Sequence, residues 1–563
     1  MDPSARLAHG SRAVAGGILL SRLAGLLREK LLAYHLGTGL AAEAFRAALR
    51  IPNLLQNLLG DGVLTGAFVP TYARLLDEGR EESAGRLAGA VAALLVLVTG
   101  VLVAVGVLLA EPLTRLLTPG FPAGSPKAEL TVLLVRVLTP SLGFLVLSAW
   151  ALGVLNAHRR FFRAYVAPVL WNASIIIALT VGAALGRGER DLAVAVAFGA
   201  LIGAVLQFLS KLPAVRGSVA GLRPTLRRDT PGLRAVLRAS TGVIAGRGVV
   251  QLSAYADLVI ASLLAAGAVA ALGYAQVLYL LPVSLFGMSV AAAALPDLAT
   301  HAHGAVDRLV DDIADGLRRI TALVVPTTIA YIVLGTSVVT VLFGGGAFGA
   351  PAARQVAAVL GAYSLGLLAT TQSRLLQSAL YGLDDTRTPA RIALVRVGVA
   401  TAVGVGLMLV LDAYRWDPTG PVRVAPLGPA DTAARAAAES LHRLGAVGLA
   451  LGASAGAWTE RALLRRALTA RIGRPLPSAR IGRPLTASLA LVLGALLVDP
   501  TMALLGPVLD DVPAAVRAGV ALVPSAVLFA AAAVLVDLVD LPGVATARRT
   551  LGLSGAGRSP RTR

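Results

Sequence analysis

The sequence predicts an all-α polytopic membrane protein. Of its 563 residues, 56% are hydrophobic and 15% are charged, and the mean hydropathy is +0.76. Soluble domains carry about 25% charged residues. About a dozen apolar runs of roughly 18 residues or more follow one another, each long enough to cross a bilayer as a helix. These observations exclude a soluble enzyme and a disordered chain, and the absence of cysteine excludes a disulfide scaffold.

We predict about fourteen membrane-spanning helices from the apolar runs. The third is the clearest, because Leu87 to Leu109 contains no charge. The first two are atypical, because each contains several ionisable residues. Sixty glycines fit close helix packing in lipid. The predicted helices cover residues 11–36, 43–76, 84–111, 128–155, 164–186, 191–214, 233–265, 268–299, 317–343, 351–381, 388–411, 432–460, 486–505 and 513–540.

The positions of Lys and Arg predict the orientation. Short cytoplasmic loops accumulate these residues, and here alternate connections are rich in them while the intervening ones are poor. An even number of crossings with both termini cytoplasmic satisfies every loop. The basic connections and tail are residues 159–163, 211–238, 318–319, 387–391, 461–483 and 548–563.

Two segments between predicted helices have unusual composition. Residues 412–431 contain four prolines and are predicted to form an extracytoplasmic linker. Ala470-Arg-Ile-Gly-Arg-Pro-Leu476 recurs as residues 479–485 in a predicted cytoplasmic loop. A tolerated loop duplication is favoured there over a role in binding lipid head groups.

Ionisable residues lie inside the first two predicted spans, where each costs about 2.5–3.5 kcal/mol to insert. The first helix contains Arg22, Arg28, Glu29 and Lys30. The spacing places Arg22 and Glu29 on one face and Arg28 on another. The second helix contains a stripe formed by Glu43, Arg46 and Arg50. Pro52 and Gly60-Asp61-Gly62 are predicted to interrupt that helix.

An interrupted helix with arginines suits an anionic head group held at membrane depth. Arginine binds phosphate through two parallel hydrogen bonds and keeps its charge when partly desolvated. We therefore predict a substrate site that includes residues 22, 28, 43, 46, 50 and 61. The alternative is intramembrane Arg–Glu pairing that only joins helices.

The seventh helix contains Arg247 and Asp257, which lie about 15 Å apart along the axis and cannot pair directly. Arg247 stands between two glycines that leave room for a bulky group, so it is a further candidate for substrate binding. Asp257 is a candidate site for a coupling cation or proton. Each also fits a buried structural pair. Arg136 and Arg374 are mid-span as well, and for them a structural role is favoured.

No catalytic or metal site can be assembled from the sequence. Gly344-Gly-Gly346 is not followed by the Lys-Ser/Thr of a phosphate-binding loop, and the six histidines show no metal-ligand spacing. The basic loops lack interleaved aromatic residues, which argues against nucleic acid as a partner. We therefore expect transport powered by a gradient or by the membrane potential.

Several short motifs occur in order within residues 10–410. They are Ser21-Arg-Leu-Ala-Gly-Leu-Leu-Arg28, Ala44-Phe45, Arg50-Ile-Pro-Asn-Leu-Leu55, Gly66-Ala-Phe-Val-Pro70, Gly153-Val-Leu-Asn-Ala-His-Arg-Arg-Phe161, Ala167-Pro168-Val169 with Asn172, Ala261-Ser262 with Gly287, Leu342-Phe343 with Gly346-Ala-Phe348, and Tyr381-Gly-Leu-Asp-Asp-Thr-Arg-Thr-Pro389. As a set, they resemble the MurJ (MviN) lipid II flippases, whereas the remainder matches only in hydropathy.

The resemblance implies a fourteen-helix member of the multidrug/oligosaccharidyl-lipid/polysaccharide exporter superfamily. It implies an N-terminal lobe at residues 1–214, a basic linker at 215–238, a C-terminal lobe at 239–460, a basic loop at 461–485 and a final helix pair with its tail at 486–563. Two six-helix lobes would face a central cavity, and the final pair would form a lipid-facing groove.

The resemblance further implies transport of lipid II from the inner to the outer leaflet of the bacterial inner membrane. Alternating access would be driven by the membrane potential or a monovalent cation. Arg22 and Arg28 occupy positions expected to hold the pyrophosphate. Glu43 and Asp61 stand at family acidic positions, and Asp257 stands where many members have Asp or Asn. Membrane lipids and cell-wall synthesis proteins are the other expected partners.

Three positions depart from the family pattern. Gln56 stands where many members have Arg, and Val277 and Leu280 replace an Arg and a frequently acidic residue of the eighth helix. Arg247 is a candidate to compensate for the lost cations. The departures keep open an exporter of another lipid-linked oligosaccharide and a non-transporting paralogue. A drug/cation antiporter of the same superfamily is disfavoured, because the arginines would repel a cation.

Overall fold

The computed structural model describes residues 3–158, 160, 166–227, 229–291, 306–417, 420–424, 443–477, 481–498, 500, 502, 505 and 512–535. For some of these residues, Asp61 and Arg247 among them, it describes the backbone alone. The basic tail and residues 432–442, where the twelfth helix was predicted to begin, lie outside the described part.

The chain divides into two units. Unit 1 comprises Met1–Ala270, Gly346–Gly349 and Pro429–His442, and unit 2 comprises Ala271–Gly345, Ala350–Gly428 and Arg443–Arg563. The described helices of unit 1 are α1 (Pro3–Leu36), α2 (Leu40–Gln56), α3 (Val69–Asp77), α4 (Glu81–Leu108), α5 (Ala110–Leu117), α6 (Pro126–Leu138), α7 (Ser141–Ala157), α8 (Pro168–Ala184), α9 (Glu189–Leu209), α10 (Leu212–Arg216) and α11 (Leu233–Ser262).

The second predicted helix changes type along its length. Pro52 lies inside α2, so the expectation that it ends the helix is wrong. A π-helical segment, Asn57–Phe68, follows α2 directly and leads into α3. Gly60 and Gly62 fall within that segment, and π turns are where α-helices accommodate an irregularity without losing their backbone hydrogen bonds. The chain therefore changes from an α-helix to a π-helix in this segment but remains helical from α2 to α3.

The described part of unit 2 is also helical, apart from one pair of strands. Strands β1 (Tyr414–Asp417) and β2 (Gly420–Arg423) pair antiparallel within the predicted linker, with Tyr414 opposite Arg423. The all-α prediction therefore needs this exception. The described helices are α12 (Ala268–Pro282), which begins in unit 1 and leads into a π segment (Val283–Met288), α13 (Val306–Val333), α14 (Gly335–Phe343), α15 (Ala350–Ser364), α16 (Leu367–Gly382), α17 (Arg387–Leu411), α18 (Gly445–Ile472), α19 (Gly482–Leu496) and α20 (Ala514–Leu535).

Several predicted single spans are broken helices. The structure interrupts them at Leu109, at Thr139–Pro140, at Leu334 and at Leu365–Gly366. The last break bends the α15–α16 pair by 44°. Within the described residues, seven spans are long and apolar enough to cross a membrane when α6 and α7 are counted together as Pro126–Ala157, and the bent α15–α16 pair raises the number to eight. The count of fourteen crossings stays a prediction.

Helix α18 extends further than predicted. It continues to Ile472, whereas the sequence placed the helix end at residue 460 and a basic loop after it. Residues 461–472 are mainly Arg, Ala and Leu, which are strong helix formers, and charge does not by itself end a helix. The helix ends at Gly473, which adopts a left-handed conformation (φ 75°) typical of a C-terminal cap. The first copy of the repeat thus begins inside the helix.

A glycine stripe joins α17 and α18. Gly448, Gly452 and Gly456 lie four residues apart on one face of α18. A Cβ atom on Gly452 would overlap Gly404 of α17, and one on Gly456 would meet the main chain at Arg396. The two backbones are therefore in direct contact, as small residues permit between helices in lipid.

We predict that Gly452→Val destabilises the protein by about 3 kcal/mol, because the new side chain has no space between the two backbones. Gly406→Val is the matched control, since no described atom lies within 4 Å of a Cβ at that position of α17. Thermal unfolding of the two purified variants in detergent measures the difference. Equal losses would contradict the close contact.

The connection between α16 and α17 yields a second prediction. Hydrogen bonds from the backbone N–H (2.9 Å) and the hydroxyl (2.7 Å) of Thr388 hold the pKa of Asp385 below its ordinary value of 3.8. Because the bound form is the carboxylate, its stabilising effect is present above pH 3.8 and is lost as the pH falls further. Asp385→Ala should lower the Tm at pH 7, by an amount that shrinks at pH 3. A pH-independent difference would refute this account.

Candidate functional site

The carboxylate of Glu29 joins the first two helices of unit 1. Its Oε1 accepts a hydrogen bond from Arg28 Nη2 at 2.6 Å, and its Oε2 accepts one from Arg46 Nη2 of α2 at 2.7 Å. Glu29 is only 6% exposed. The three side chains form what we call the Glu29 cluster, with two positive charges and one negative charge.

Helix α8 supplies the other side of the Arg28 environment. Arg28 Nη1 donates to Asn172 Oδ1 at 3.0 Å, and the guanidinium lies 4.8 Å from the centre of the Trp171 ring. Asn172 Nδ2 donates to the Pro168 carbonyl, which orients the amide oxygen toward Arg28. Among the described residues, the buried Arg28 Nε has no hydrogen-bond partner.

The Glu29 cluster has the chemistry of an anion site. Its net charge is +1, and its planar guanidinium groups can each present two parallel N–H donors to an oxyanion. Stacking on Trp171 and the bond to Asn172 fix the plane of Arg28, so little side-chain entropy remains to be lost on binding. The low-dielectric surroundings strengthen any electrostatic interaction formed there.

The helical spacing predicts Arg28 on a different face of α1 from Glu29, yet the two side chains are in contact. Neighbouring positions on a helix are about 100° apart, and the long arginine side chain spans that angle. The contact between Glu29 and Arg46 also joins α1 to α2, which is the alternative role that the sequence left open. Pairing and anion binding are compatible here, because one carboxylate serves two guanidinium groups.

Glu43 belongs to a separate pair. Its side chain is 1% exposed, with Oε2 accepting a short hydrogen bond from Lys127 Nζ of α6 and Oε1 accepting one from the Val269 N–H at 3.0 Å. The predicted stripe of Glu43, Arg46 and Arg50 is therefore divided between different partners. Glu43 faces a cation that the sequence analysis did not single out.

The remaining predicted residues differ in exposure, or their side chains lie outside the description. Arg22 is exposed on α1, and Asp257 is exposed on α11. The Arg50 side chain is half-buried, and its carbonyl accepts a hydrogen bond from Tyr255 at 3.2 Å. The side chains of Asp61 and Arg247 lie outside those the structure describes, so their predicted roles stay predictions.

Trp171, Asn172 and Lys127 are the site residues that the sequence analysis did not assign. Asn172 was noted only within a motif, and nothing near Trp171 or Lys127 in the sequence indicates an acidic or basic partner. In the described part of the chain, no three His, Asp or Glu side chains come together as they would around a metal ion.

Comparison with known proteins shows what the chain is similar to. A family model described as lipid II flippase MurJ matches residues 32–415. A probable lipid II flippase MurJ of Rhizobium tropici is 32% identical over 404 residues, 71% of this chain and 75% of the relative. The lipid II flippase MurJ of Burkholderia cenocepacia is 32% identical over 386 residues, 68% of this chain and 74% of the relative.

Two solved structures are similar in fold. A lipid II flippase MurJ in an inward closed conformation aligns with a TM-score of 0.69 at 19% identity, covering 96% of this chain and 99% of the other. An inward-facing multidrug transporter of the MATE family and MOP superfamily aligns with a TM-score of 0.60 at 17% identity, covering 80% and 94%. At these identities the structures establish the fold alone, that of a polytopic membrane transporter.

We predict that Glu29→Gln lowers the free energy of unfolding by about 3 kcal/mol, because two guanidinium groups in a buried site lose the carboxylate with which both of them pair. Glu78→Gln is the control: Glu78 forms exposed ion pairs with Arg74 and Arg80, so its loss should cost less than about 1 kcal/mol. Denaturant titration of the purified proteins compares them. Similar small losses would show that the Glu29 cluster adds no stability.

Proposed function

The chain belongs to the lipid II flippase MurJ family, and from this premise we propose that it carries lipid II across the membrane from the inner to the outer leaflet. It is a multi-pass membrane transporter and not an enzyme. Lipid II consists of a disaccharide-pentapeptide joined to undecaprenol through a pyrophosphate. Its supply outside the membrane is required for peptidoglycan synthesis and hence for cell-wall organisation and cell shape.

The Glu29 cluster is the observation that supports this function most directly. The oxygens of a pyrophosphate accept hydrogen bonds, and the planar guanidinium group of arginine donates to such oxygens in pairs of parallel hydrogen bonds. In the absence of substrate, Glu29 pairs with both Arg28 and Arg46 and offsets one of their two positive charges. An arriving phosphate would take over part of that role and would occupy the donors of Arg28, including Nε. Release would return both guanidinium groups to Glu29, so the site would bind reversibly.

We assign further contacts with the head group to Arg22, Arg50, Asp61 and Arg247. Glu43 would act indirectly, because its ion pair with Lys127 would hold α2 against α6. These assignments rest on position and charge. In each case the side chain would meet the polar part of the substrate, while the polyprenyl tail stays in lipid because its transfer into a polar cavity is unfavourable.

The membrane potential has the sign that is needed to drive this transport. With the cytoplasmic side negative, outward movement of an anionic head group is favoured by about 2.3 kcal/mol per charge for every 100 mV. A coupling monovalent cation is the alternative, with Asp257 as the candidate ligand. Alternating access would then follow from binding on one side and release on the other.

The proposed setting is the bacterial inner membrane, with both termini cytoplasmic as the basic connections indicate. Membrane lipids surround the exposed apolar faces. Cell-wall synthesis proteins that consume lipid II at the outer leaflet are the proposed protein partners, because the product of transport is their substrate.

An exporter of a different lipid-linked oligosaccharide is the second candidate. Gln56, Val277 and Leu280 favour it, because they replace charged residues that the family resemblance implies. A non-transporting paralogue that binds lipid carriers is the third. Both alternatives would keep the fold and would differ in whether the protein can replace a lipid II flippase.

Complementation of a strain depleted of its lipid II flippase tests the proposal. We expect wild-type protein to restore growth and Arg28→Ala to fail, because the variant loses the contacts to Glu29, Asn172 and Trp171. Arg22→Ala should weaken rescue. Arg115→Ala, which removes an exposed arginine paired with Glu111, is the matched control and should rescue fully.

Membrane levels of every variant must equal those of the wild type. If a correctly inserted wild-type protein does not restore growth, lipid II is not its substrate. If Arg28→Ala rescues as well as the control, the Glu29 cluster does not contact the substrate.

A further inference from the structure

Unit 2 contains its own buried chain of charged and polar groups. Glu460 of α18 is 2% exposed, with Oε2 accepting from Arg396 Nη1 of α17 at 3.1 Å and Oε1 accepting from Gln377 Nε2 of α16 at 2.9 Å. Gln377 Oε1 in turn accepts from Arg374 Nη1 at 3.3 Å. We call these four residues the Glu460 chain.

The Glu460 chain has one more cation than it can neutralise. Arg396 and Glu460 form a complete ion pair, so Arg374 adds an uncompensated positive charge. Tyr279 of α12 lies within electrostatic reach of both arginines and of Glu460, and its hydroxyl donates to Thr370. An excess cation within a membrane span is costly unless an anion or water compensates it.

Most donors of the two arginines remain available. A guanidinium has five N–H donors, and among the described residues Arg374 donates only to Gln377 and Arg396 only to Glu460. None of their nitrogen atoms is among the buried atoms that lack a partner, and the Arg396 side chain is 33% exposed. The remaining donors therefore face accessible space.

The two arginines lie at the same depth. Arg374 is eight residues before the end of α16 and Arg396 is nine residues after the start of α17, so both are about 12–14 Å from the connection between these helices. Gln377 is held with its oxygen toward Arg374 because its nitrogen donates to Glu460. The carboxylate therefore fixes the orientation of both arginines, one directly and one through an amide.

We propose that Arg374 and Arg396 form an anion-binding site in unit 2 that takes an oxyanion of the transported head group, with Glu460 and Gln377 as positioning residues. The inference rests on the proposed function, since it supposes an anionic substrate. It deepens that function by assigning a second set of substrate contacts, in a unit that the predicted Arg22–Asp61 set does not reach. The oxyanion is a phosphate or a peptide carboxylate.

Binding of labelled lipid II to the full-length protein in phosphatidylcholine nanodiscs tests the site. Arg374→Gln is the decisive variant, because its single 3.3 Å hydrogen bond makes little contribution to folding. We expect about tenfold weaker binding, as for the loss of one charge-assisted hydrogen bond. Arg391→Gln removes an exposed charge from the same helix as Arg396 and should stay within twofold of wild type.

Glu460→Gln separates positioning from structure. The amide oxygen of the variant still accepts a hydrogen bond from Arg396, but its NH2 group cannot accept from Gln377. Gln377 must then turn its oxygen toward this NH2 group and release Arg374, and the site gains one positive charge, so lipid II should bind several-fold more tightly. A purely structural role predicts weaker binding, and that result would overturn the assignment of Glu460. Titration with phosphatidylglycerol tests whether the bound anion is the head group of this lipid. If Arg374→Gln loses binding of phosphatidylglycerol while its binding of lipid II is unchanged, the proposal is overturned.

Flipping of lipid II in proteoliposomes distinguishes the two possible failures. If the wild-type protein neither binds nor flips lipid II, the proposed function and this inference both fall. If the wild type flips lipid II and Arg28→Ala does not, while Arg374→Gln binds and flips normally, only the site in unit 2 is refuted. Equal losses in Arg374→Gln and Arg391→Gln would also refute it, because the effect would then be one of general charge.

Discussion

A bilayer offers no water to a charged group, so each charge inside this protein needs a partner from another part of the chain. Among the described residues, four carboxylates are buried, those of Glu29, Glu43, Asp412 and Glu460. Asp412 pairs with Arg443, and each of the other three joins two or more helices. Glu29 connects α1 to α2, Glu43 connects α2 to α6 and to the Val269 backbone, and Glu460 connects α16, α17 and α18. Since hydrophobic burial gives helices little reason to associate in lipid, these ionic contacts also help to specify which helices are neighbours.

The Glu29 cluster and the Glu460 chain share a design. In both, one carboxylate orients two arginines and leaves a net charge of +1. Arg28 is oriented further by Trp171 and Asn172, and Arg374 by Gln377. A fully neutral pair would have no net charge with which to attract an anion, whereas two arginines without a carboxylate would be too costly to bury. An intermediate charge satisfies both demands.

The fold class and the positions of most helices could be predicted, because apolar length is a local property of the sequence. The breaks at Leu109 and Leu334 could not, since they depend on how neighbouring helices pack. Arg28 and Arg46 were identified by their cost in lipid. Their environment was not, because Asn172 is 144 residues from Arg28 and such separations leave no local pattern. The glycine stripe of α18 can be recognised in the sequence as small residues four positions apart, but the sequence does not show which helix the stripe contacts.

The glycine stripe has a mechanical consequence. Because the backbones of α17 and α18 are in direct contact at the glycine stripe, no side chains between them can rearrange there. We therefore expect the two helices to move together as one rigid element. Arg396 and Glu460 both belong to that element, so their 3.1 Å contact lies within it. Arg374 and Gln377 belong to α16, outside it. A movement of α16 relative to α17 and α18 would therefore change the hydrogen bonds of Gln377 before it changed the Arg396–Glu460 ion pair. The flexibility of the site depends on the side-chain amide of Gln377.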